Sequence, residues 1–335
     1  MTLRARITGT GMYVPERVVT NHDLEQLMDT SDEWIRQRTG IQERRFIRDG
    51  QTPVDLAEAA ARNALAAAQL EPDELDCIVL ATLSPQADFP GTSFFLQDRL
   101  GLSETPCFDL RAQCSGFLFS LATAKSFVES GQFRRVLVVG CEVHSTGIDL
   151  TNEGRDVAVL FGDGAGAVVV ERHEDPEDPS GVLEVRLHAQ GKYAQKLWIE
   201  APGSGFWPVR INEELLQQRR HFPRMEGKFV FKHAVTRMPE VLLETLNAAS
   251  IKKDDVDLFL FHQANLRINE YVAQSLEIPA EKLRSNIQRY GNCSAASIPM
   301  LLDEAARDGS LQPGRIVSMT GFGSGFSWAS AVVRW

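Results

Sequence analysis

Three side chains stand in settings that suggest chemistry: Cys114, His262 and Asn292. Cys114 lies in DLRAQCSGFLF (109–119), where a strand-like run gives way to small residues. Phe117, Leu118, Leu121, Ala122, Ala124 and Phe127 then make the apolar pattern of a buried helix. A thiol at a helix N terminus faces unpaired N–H groups and the positive end of the dipole, which predicts a lowered pKa and a nucleophilic thiolate. A small hydrophobic residue at a tight packing point fits the same pattern. His262 closes an apolar strand, LFLFH, at the carboxyl end where α/β sheets collect ligands, although a satisfied core histidine would read the same way. Asn292 lies in RYGNCSAASIP, between a turn signal and a small-residue helix. A helix cap is the common role for such an asparagine, and it is compatible with a catalytic one.

The elements that must position these residues alternate between strands and helices. RARITGTGMYVP reads as a strand entering a turn, 57–68 as an Ala-rich helix, and CIVLAT (77–82), RVLVVG (135–140) and AGAVVV (165–170) as buried strands. The alternation predicts βαβ units and an α/β sheet covered on both faces. The second half repeats the first. AAARNALAAAQLEPDELDCIVLAT matches PEVLLETLNAASIKKDDVDLFLFH, and SFVESGQFRRVLVVG matches EAARDGSLQPGRIVSMTG. The offset is roughly 180 residues, which predicts an internal duplication. The acidic, Pro-rich EDPEDPSG (174–181) divides an N-terminal half, 1–173, carrying the cysteine from a C-terminal half, 182–335, carrying the histidine and asparagine. Residues 190–225, with APGSGFWPVR, read as an inserted loop or lid. A pseudo-twofold between the halves would bring Cys114, His262 and the Asn292 segment to one central site.

Composition narrows the function classes. The formal charge of −10 over 335 residues argues against non-specific nucleic-acid binding. The five cysteines, Cys77, Cys107, Cys114, Cys141 and Cys293, form no CxxC pair, which argues against a disulfide framework or a thiolate zinc site and suits a reducing cytoplasm. The N-terminal stretch lacks the apolar core of a signal peptide, and no run is long and apolar enough to predict a membrane span. FGDGAGAVVV runs into a strand and so is not a dinucleotide fingerprint. GFGSGFSWASAVV (321–333) also feeds a strand, and its backbone could supply an oxyanion N–H. TSDEWIRQRTGIQERRFIR gathers Trp34, Arg36, Arg38, Arg44, Arg45 and Arg48, a set suited either to phosphate and base contacts or to a solvated helix face.

Together, TSDEWIRQRTGI, the Cys114 elbow, VLFGDGAGA, HQANLRI, RYGNCSAASIP and the terminal GFGSGFSWASAVV resemble the β-ketoacyl-acyl-carrier-protein synthase III family of the thiolase superfamily, over nearly the full length. The resemblance implies a thiolase-like α/β fold whose duplicated halves form a five-layer αβαβα sandwich, and a homodimer. It implies an acyltransferase with a catalytic triad of Cys114, His262 and Asn292. Its reaction is a decarboxylating Claisen condensation of a short acyl-CoA, acetyl-CoA or similar, with malonyl-acyl-carrier protein. A Cys acyl-enzyme gives 3-ketoacyl-carrier protein and initiates fatty-acid synthesis. The alternative is an enzyme of specialised metabolism that condenses or transfers a longer or unusual acyl group to another acceptor.

The resemblance also assigns the oxyanion to the backbone N–H groups of Cys114 and Ser324, with no metal or redox cofactor and the coenzyme A thioester as substrate. Trp34 and Arg155 would sandwich the adenine, with Thr30 and Arg38 near the nucleotide. Asn265 would lie in the pantetheine channel, and Phe89 would shape the acyl pocket from across the dimer. Lys232 and Arg267 would face the carrier protein. A thiolase would need a second cysteine in its last glycine-rich segment, and 321–325 has none. Departures from the family pattern fall at Arg111, Gln113 and Ser324, in the 190–225 insert, and at Glu270, Gln274 and Ser275, where an acidic carrier protein would meet a weaker positive surface. A non-catalytic partner and a cysteine hydrolase are the readings from other classes. The intact triad disfavours the first; Asn292 and the Arg/Trp cluster disfavour the second.

Overall fold

The structure is a computed structural model describing residues 3–335 apart from Pro176. The first two residues of the N-terminal stretch and Pro176 of the 174–181 boundary therefore lie outside the described residues. Ten strands make two five-stranded sheets. Strands β1 (Arg4–Tyr13), β2 (Cys77–Ala81), β3 (Cys107–Leu110), β4 (Arg135–Glu142) and β5 (Gly164–His173) form the first, in the order β1-β5-β4-β2-β3. Strands β6 (Gly181–Ala189), β7 (Leu258–Phe261), β8 (Leu283–Arg284), β9 (Ile316–Gly323) and β10 (Ser327–Arg334) form the second, in the order β8-β7-β9-β10-β6.

Both sheets are mixed. In each, the three strands nearest the site pair in parallel, and the other two pairings are antiparallel. The βαβ expectation thus holds for half of each sheet. β10 returns to β9 after only three residues, as a tight antiparallel connection allows, whereas β5 pairs antiparallel with β4 after residues 143–163, which include a short helix at Arg155–Ala158.

Helices fill the layers between and outside the sheets. The outer layer on the first sheet is led by α1 (Pro53–Ala68), started by Thr52, whose hydroxyl caps Asp55 while the Asp55 carboxylate bonds back. Its alanines let it lie so close to β1 that a Cβ at Gly9 would stand 2.2 Å from the Ala64 carbonyl. The central layer is α2 (Gly116–Glu129) with α3 (Ser297–Arg307). Their apolar faces, Phe117, Leu121 and Val128 on one and Ile298, Leu301 and Ala305 on the other, share a core with residues of both sheets. Each large side chain buried there contributes roughly 1.5–3 kcal/mol. The outer layer on the second sheet is α4 (Gly227–Ala248) and α5 (Leu266–Ser275).

This is the five-layer duplicated arrangement expected from the resemblance. The repeat is exact through the central elements: β2 and β7 start at 77 and 258, β4 and β9 at 135 and 316, and α2 and α3 at 116 and 297, each pair 181 apart. The same offset relates Gln113 to Ser294, and both hold a left-handed backbone, φ 45° and 40°. Asn292 therefore occupies the place that Arg111 holds in the first half. Residues 190–225 form no layer. They contain a two-turn 3₁₀ segment at Gly191–Lys196, a short helix at Glu213–Gln217 and a two-stranded ribbon pairing Leu197–Trp198 with Arg224–Met225.

Candidate active site

The pseudo-twofold places its two turns back to back, and the catalytic candidates meet there. Cys114 sits in the 3₁₀ turn that leads into α2, buried, with its thiol donating to Ser294 Oγ at 3.8 Å. The sulfur also lies against the backbone N–H groups of Ser324 and of Cys114 itself, both of which favour a charged sulfur. Burial nonetheless wins and pushes the thiol up to about 11. This is opposite to the direction expected from the helix N terminus alone, because the desolvation of a sulfur enclosed between two sheets outweighs the nearby N–H groups.

At neutral pH Cys114 is therefore a thiol that must lose its proton during attack. The rate of Cys114 alkylation by iodoacetamide is expected to climb about tenfold per pH unit from roughly pH 7 to 10, without the early plateau of a thiolate–imidazolium pair. A plateau by neutral pH would contradict this.

His262 follows β7 directly, and its N–H still donates to the Thr320 carbonyl of β9 at 2.9 Å. Nδ1 lies 2.7 Å from Ser297 Oγ, while Nε2 is buried with no partner. Burial depresses the imidazole to about 3, so it is neutral. Ser297 Oγ is also 2.9 Å from the Ser294 carbonyl. When that hydroxyl donates to the carbonyl it accepts the Nδ1 proton. When it turns to Nδ1, the ring proton resides on Nε2, which then becomes a donor.

Asn292 follows the loop from β8. Its N–H donates to the Leu160 carbonyl at 2.7 Å, and its Oδ1 accepts the Ser294 N–H at 2.8 Å. The bond two residues on is the turn-stabilising role expected of an asparagine. It also occupies the acceptor and leaves the Nδ2 donors for the cleft.

Two clefts meet at the sulfur. One, about 660 Å³, is lined by Cys114, His262, Asn292, Asn265, Arg38 and Trp34. The other, about 600 Å³, runs from Cys114 past Gln113, Arg111, His144 and Gln86 to Trp198 of the ribbon. Ser324 lines the second cleft, and its hydroxyl donates to the Leu197 carbonyl, tying the insert to the glycine-rich segment.

The Arg/Trp cluster is sorted by burial. Arg44 is fully buried and bonds Asn21, Val19 and Val159, so it is a core residue. Arg36 pairs with Asp32 and Arg45 with Glu43. Arg38 and Arg155 stack on Trp34 at 4.7 and 4.9 Å, and Arg155 also donates to the Asp29 carbonyl at 2.7 Å. A purine between Trp34 and Arg155 needs about twice the ~3.5 Å contact distance, so Arg155 must swing outward to admit one. The Thr30 hydroxyl nearby is buried without a partner. Asn265 caps α5 and donates to the Arg38 carbonyl at 3.0 Å. Arg267 lines the mouth of the larger cleft together with Lys228, which sequence reasoning passed over; Lys232 is exposed one helical turn beyond. Phe89 is 80% exposed and lines neither cleft of its own chain.

Four further residues were not singled out by sequence. Ser294 stands in the sequence at the start of a small-residue helix, and Ser297 and His144 carry no signal of their own. Glu142, at the end of β4, is buried and raised to about 7, and it accepts from Ser84 at 2.6 Å and from the Leu83 N–H at 3.1 Å. It lines neither cleft and holds the 82–84 loop. Asp163 of FGDGAGA accepts from the N–H groups of His144, Ser145 and Ile47, which explains that motif as a brace rather than a phosphate loop.

Comparison with known proteins agrees with this geometry. Residues 108–191 match the family model described as 3-oxoacyl-[acyl-carrier-protein (ACP)] synthase III, and residues 246–335 match that of its C-terminal part. The chain is similar to a crystal structure of 3-oxoacyl-[acyl-carrier-protein] synthase III from Aquifex aeolicus, with a TM-score of 0.89 and 44% identity, covering 99% of this chain and 100% of that one. The priming β-ketosynthase of the R1128 polyketide pathway gives a TM-score of 0.88 at 33% identity, covering 99% and 96%. The fold is that of the thiolase-fold condensing acyltransferases. A β-ketoacyl-[acyl-carrier-protein] synthase III of Alkalilimnicola ehrlichii is 44% identical over 333 residues, 99% of each chain. The chain belongs to the 3-oxoacyl-[acyl-carrier-protein] synthase III family.

Proposed function

We propose that this chain carries out the initiating condensation of fatty-acid synthesis, with an acyl-CoA and malonyl-acyl-carrier protein as its substrates. The observation that carries the reading is the sulfur of Cys114 at the junction of two clefts, with His262 Nε2 and the Asn292 amide on one of them. The thiol loses its proton and attacks the acyl thioester, and coenzyme A leaves as its thiol. The backbone N–H groups of Cys114 and Ser324 hold the oxyanion. Malonyl thioester then enters the larger cleft. Its carbon–carboxylate bond breaks, CO₂ leaves, and the electron pair moves to the thioester oxygen, which His262 and Asn292 hold by hydrogen bonds. The enolate carbon attacks the acyl group, the carbon–sulfur bond to Cys114 breaks, and the thiolate takes up a proton. Every electron and proton comes from substrates, solvent or these side chains, so no metal or redox cofactor enters.

Trp34, Arg38, Arg155 and Thr30 would hold the nucleotide and Asn265 the pantetheine arm. Lys232 and Arg267, joined by Lys228, would meet the acidic carrier protein. Phe89 would act from a second copy of the chain in a homodimer, which its exposure supports.

A second reading, an enzyme taking a longer or unusual acyl group, is favoured by the acyl-side cleft. In the single chain this cleft is about 600 Å³ and has room for more than an acetyl group. Arg111 and Gln113 make its wall beside the nucleophile polar. One experiment tests both readings. Incubation with acetyl-, butyryl- and octanoyl-CoA is expected to add the acyl mass to the intact protein, and Cys114→Ala is expected to abolish the adduct. No adduct from any of them overturns the proposal. Fastest loading by the longest chain selects the second reading.

A further inference from the structure

Among the described residues, the side chain to which the Cys114 thiol donates is Ser294, not His262. Sγ donates to Ser294 Oγ at 3.8 Å, and Ser294 Oγ lies 3.1 Å from His144 Nε2. His262 Nε2 is buried with no partner. His144 is buried and rigidly held. Its N–H is bonded to Asp163 at 2.7 Å, and its ring packs on Phe161 with centroids 4.5 Å apart. The Ser294 N–H is engaged separately with Asn292, so the serine's backbone serves one catalytic side chain and its hydroxyl points to another.

From this arrangement we propose that His144, acting through the Ser294 hydroxyl, is the proton acceptor for Cys114 in acyl transfer. The proposal rests on the acyl-enzyme reading above. As Cys114 Sγ bonds to the acyl carbon, its proton passes to Ser294 Oγ and the serine's own proton passes to His144 Nε2. His144 becomes an imidazolium, with its other ring nitrogen already protonated. When the tetrahedral adduct collapses, the carbon–sulfur bond to coenzyme A breaks. The departing thiolate is protonated by solvent or by return of the proton along the same path. Burial raises the thiol to about 11 and, together with the nearby His262, lowers the His144 imidazole to about 3, so no thiolate–imidazolium pair forms at rest and the transfer must be coupled to carbon–sulfur bond formation. The consequence is a division of labour. His144 and Ser294 are positioning and relay residues of the loading step, and His262 with Asn292 serves decarboxylation. The two imidazoles line different clefts that meet at Cys114, and each has its own half-reaction.

The test separates the half-reactions. Acyl loading from acyl-CoA is timed by intact mass in rapid-quench experiments. Decarboxylation is timed as CO₂ release from malonyl-carrier protein on enzyme already acylated. His144→Phe keeps an aromatic ring against Phe161 and removes the nitrogen, and Ser294→Ala removes the hydroxyl and keeps the N–H that holds Asn292. Each is expected to slow loading by about 10²-fold, the lower range for loss of a general base, with the KM for acyl-CoA and the decarboxylation rate unchanged. The double variant is expected to load no more slowly than either single variant, because the two residues act as one unit. Loading at the unsubstituted rate in both variants, equal losses in both half-reactions, or a double-variant loss equal to the product of the single losses would each overturn the relay. Absence of any adduct on the unsubstituted protein would overturn the proposed reaction and the relay with it.

Discussion

His262→Ala and Asn292→Ala are each expected to cut decarboxylation of malonyl-carrier protein by about 10²–10³-fold, equivalent to roughly 2.7–4 kcal/mol of transition-state stabilisation per lost donor. The expectation follows from what the two side chains have left to offer. Asn292 spends its Oδ1 on the Ser294 N–H, so only donors face the cleft. His262 has an unpartnered Nε2, and the Ser297 hydroxyl 2.7 Å from Nδ1 decides whether that nitrogen carries a proton. Both are buried, so the developing oxyanion meets them without competing water, where a hydrogen bond to charge is strongest. In the ground state the thioester oxygen is a weak acceptor, so removal of either donor should lower kcat far more than it raises KM. The double variant should lose less than the product of the single losses, since both donors serve one oxygen. Acyl loading should persist, because neither side chain bonds the thiol. CO₂ release at the unsubstituted rate in either variant would remove that residue from the assigned role, and equal loss of both half-reactions would contradict the division between them.

The boundary between what the sequence reveals and what it hides runs through this site. Strands such as those read at CIVLAT and AGAVVV show in the sequence as short apolar runs, and the two halves as repeated blocks. The 181-residue offset in the structure is what those blocks predict. Cys114 could be singled out because a strand-like run gives way there to small residues, and Asn292 because it stands between a turn signal and a small-residue helix. His144 could not. It sits 150 residues from Ser294 in the chain, and nothing local distinguishes it from a strand's last polar residue; only the stacking of the two turns creates the contact. Arg44 failed in the other direction. Its neighbours in sequence are surface arginines, but its side chain turns inward to three core acceptors. The Cys114 pKa was misjudged for a related reason: N–H groups near a helix start are visible in a sequence, and the depth of burial that opposes them is not.

Gly323→Ala is expected to lower turnover by about 10²-fold or more while leaving a folded protein. Gly323 ends β9 where that strand passes the nucleophile. A Cβ there would stand 2.6 Å from Cys114 Cβ, 3.0 Å from its backbone N and 3.1 Å from Sγ. Carbon atoms prefer about 3.5–4.0 Å, so the two segments must part by roughly 1 Å. The atoms met first are the nucleophile's own Cβ and backbone, so no flexible side-chain end can absorb the intrusion. A displacement of that size at a reacting atom costs about 10² in rate even when the chemistry is otherwise intact. It also moves the Cys114 N–H away from the Ser324 N–H, the two donors that lie against the sulfur. The fold should tolerate the change better, since overpacking by one methyl group costs about 1–3 kcal/mol. Acyl loading and condensation should fall together, unlike the selective losses at His144 or Asn292, because the displaced sulfur serves both steps. A Gly323→Ala protein with unaltered kcat would show that the close approach of β9 is a packing accident, and the oxyanion assignment to the Ser324 N–H would fall with it.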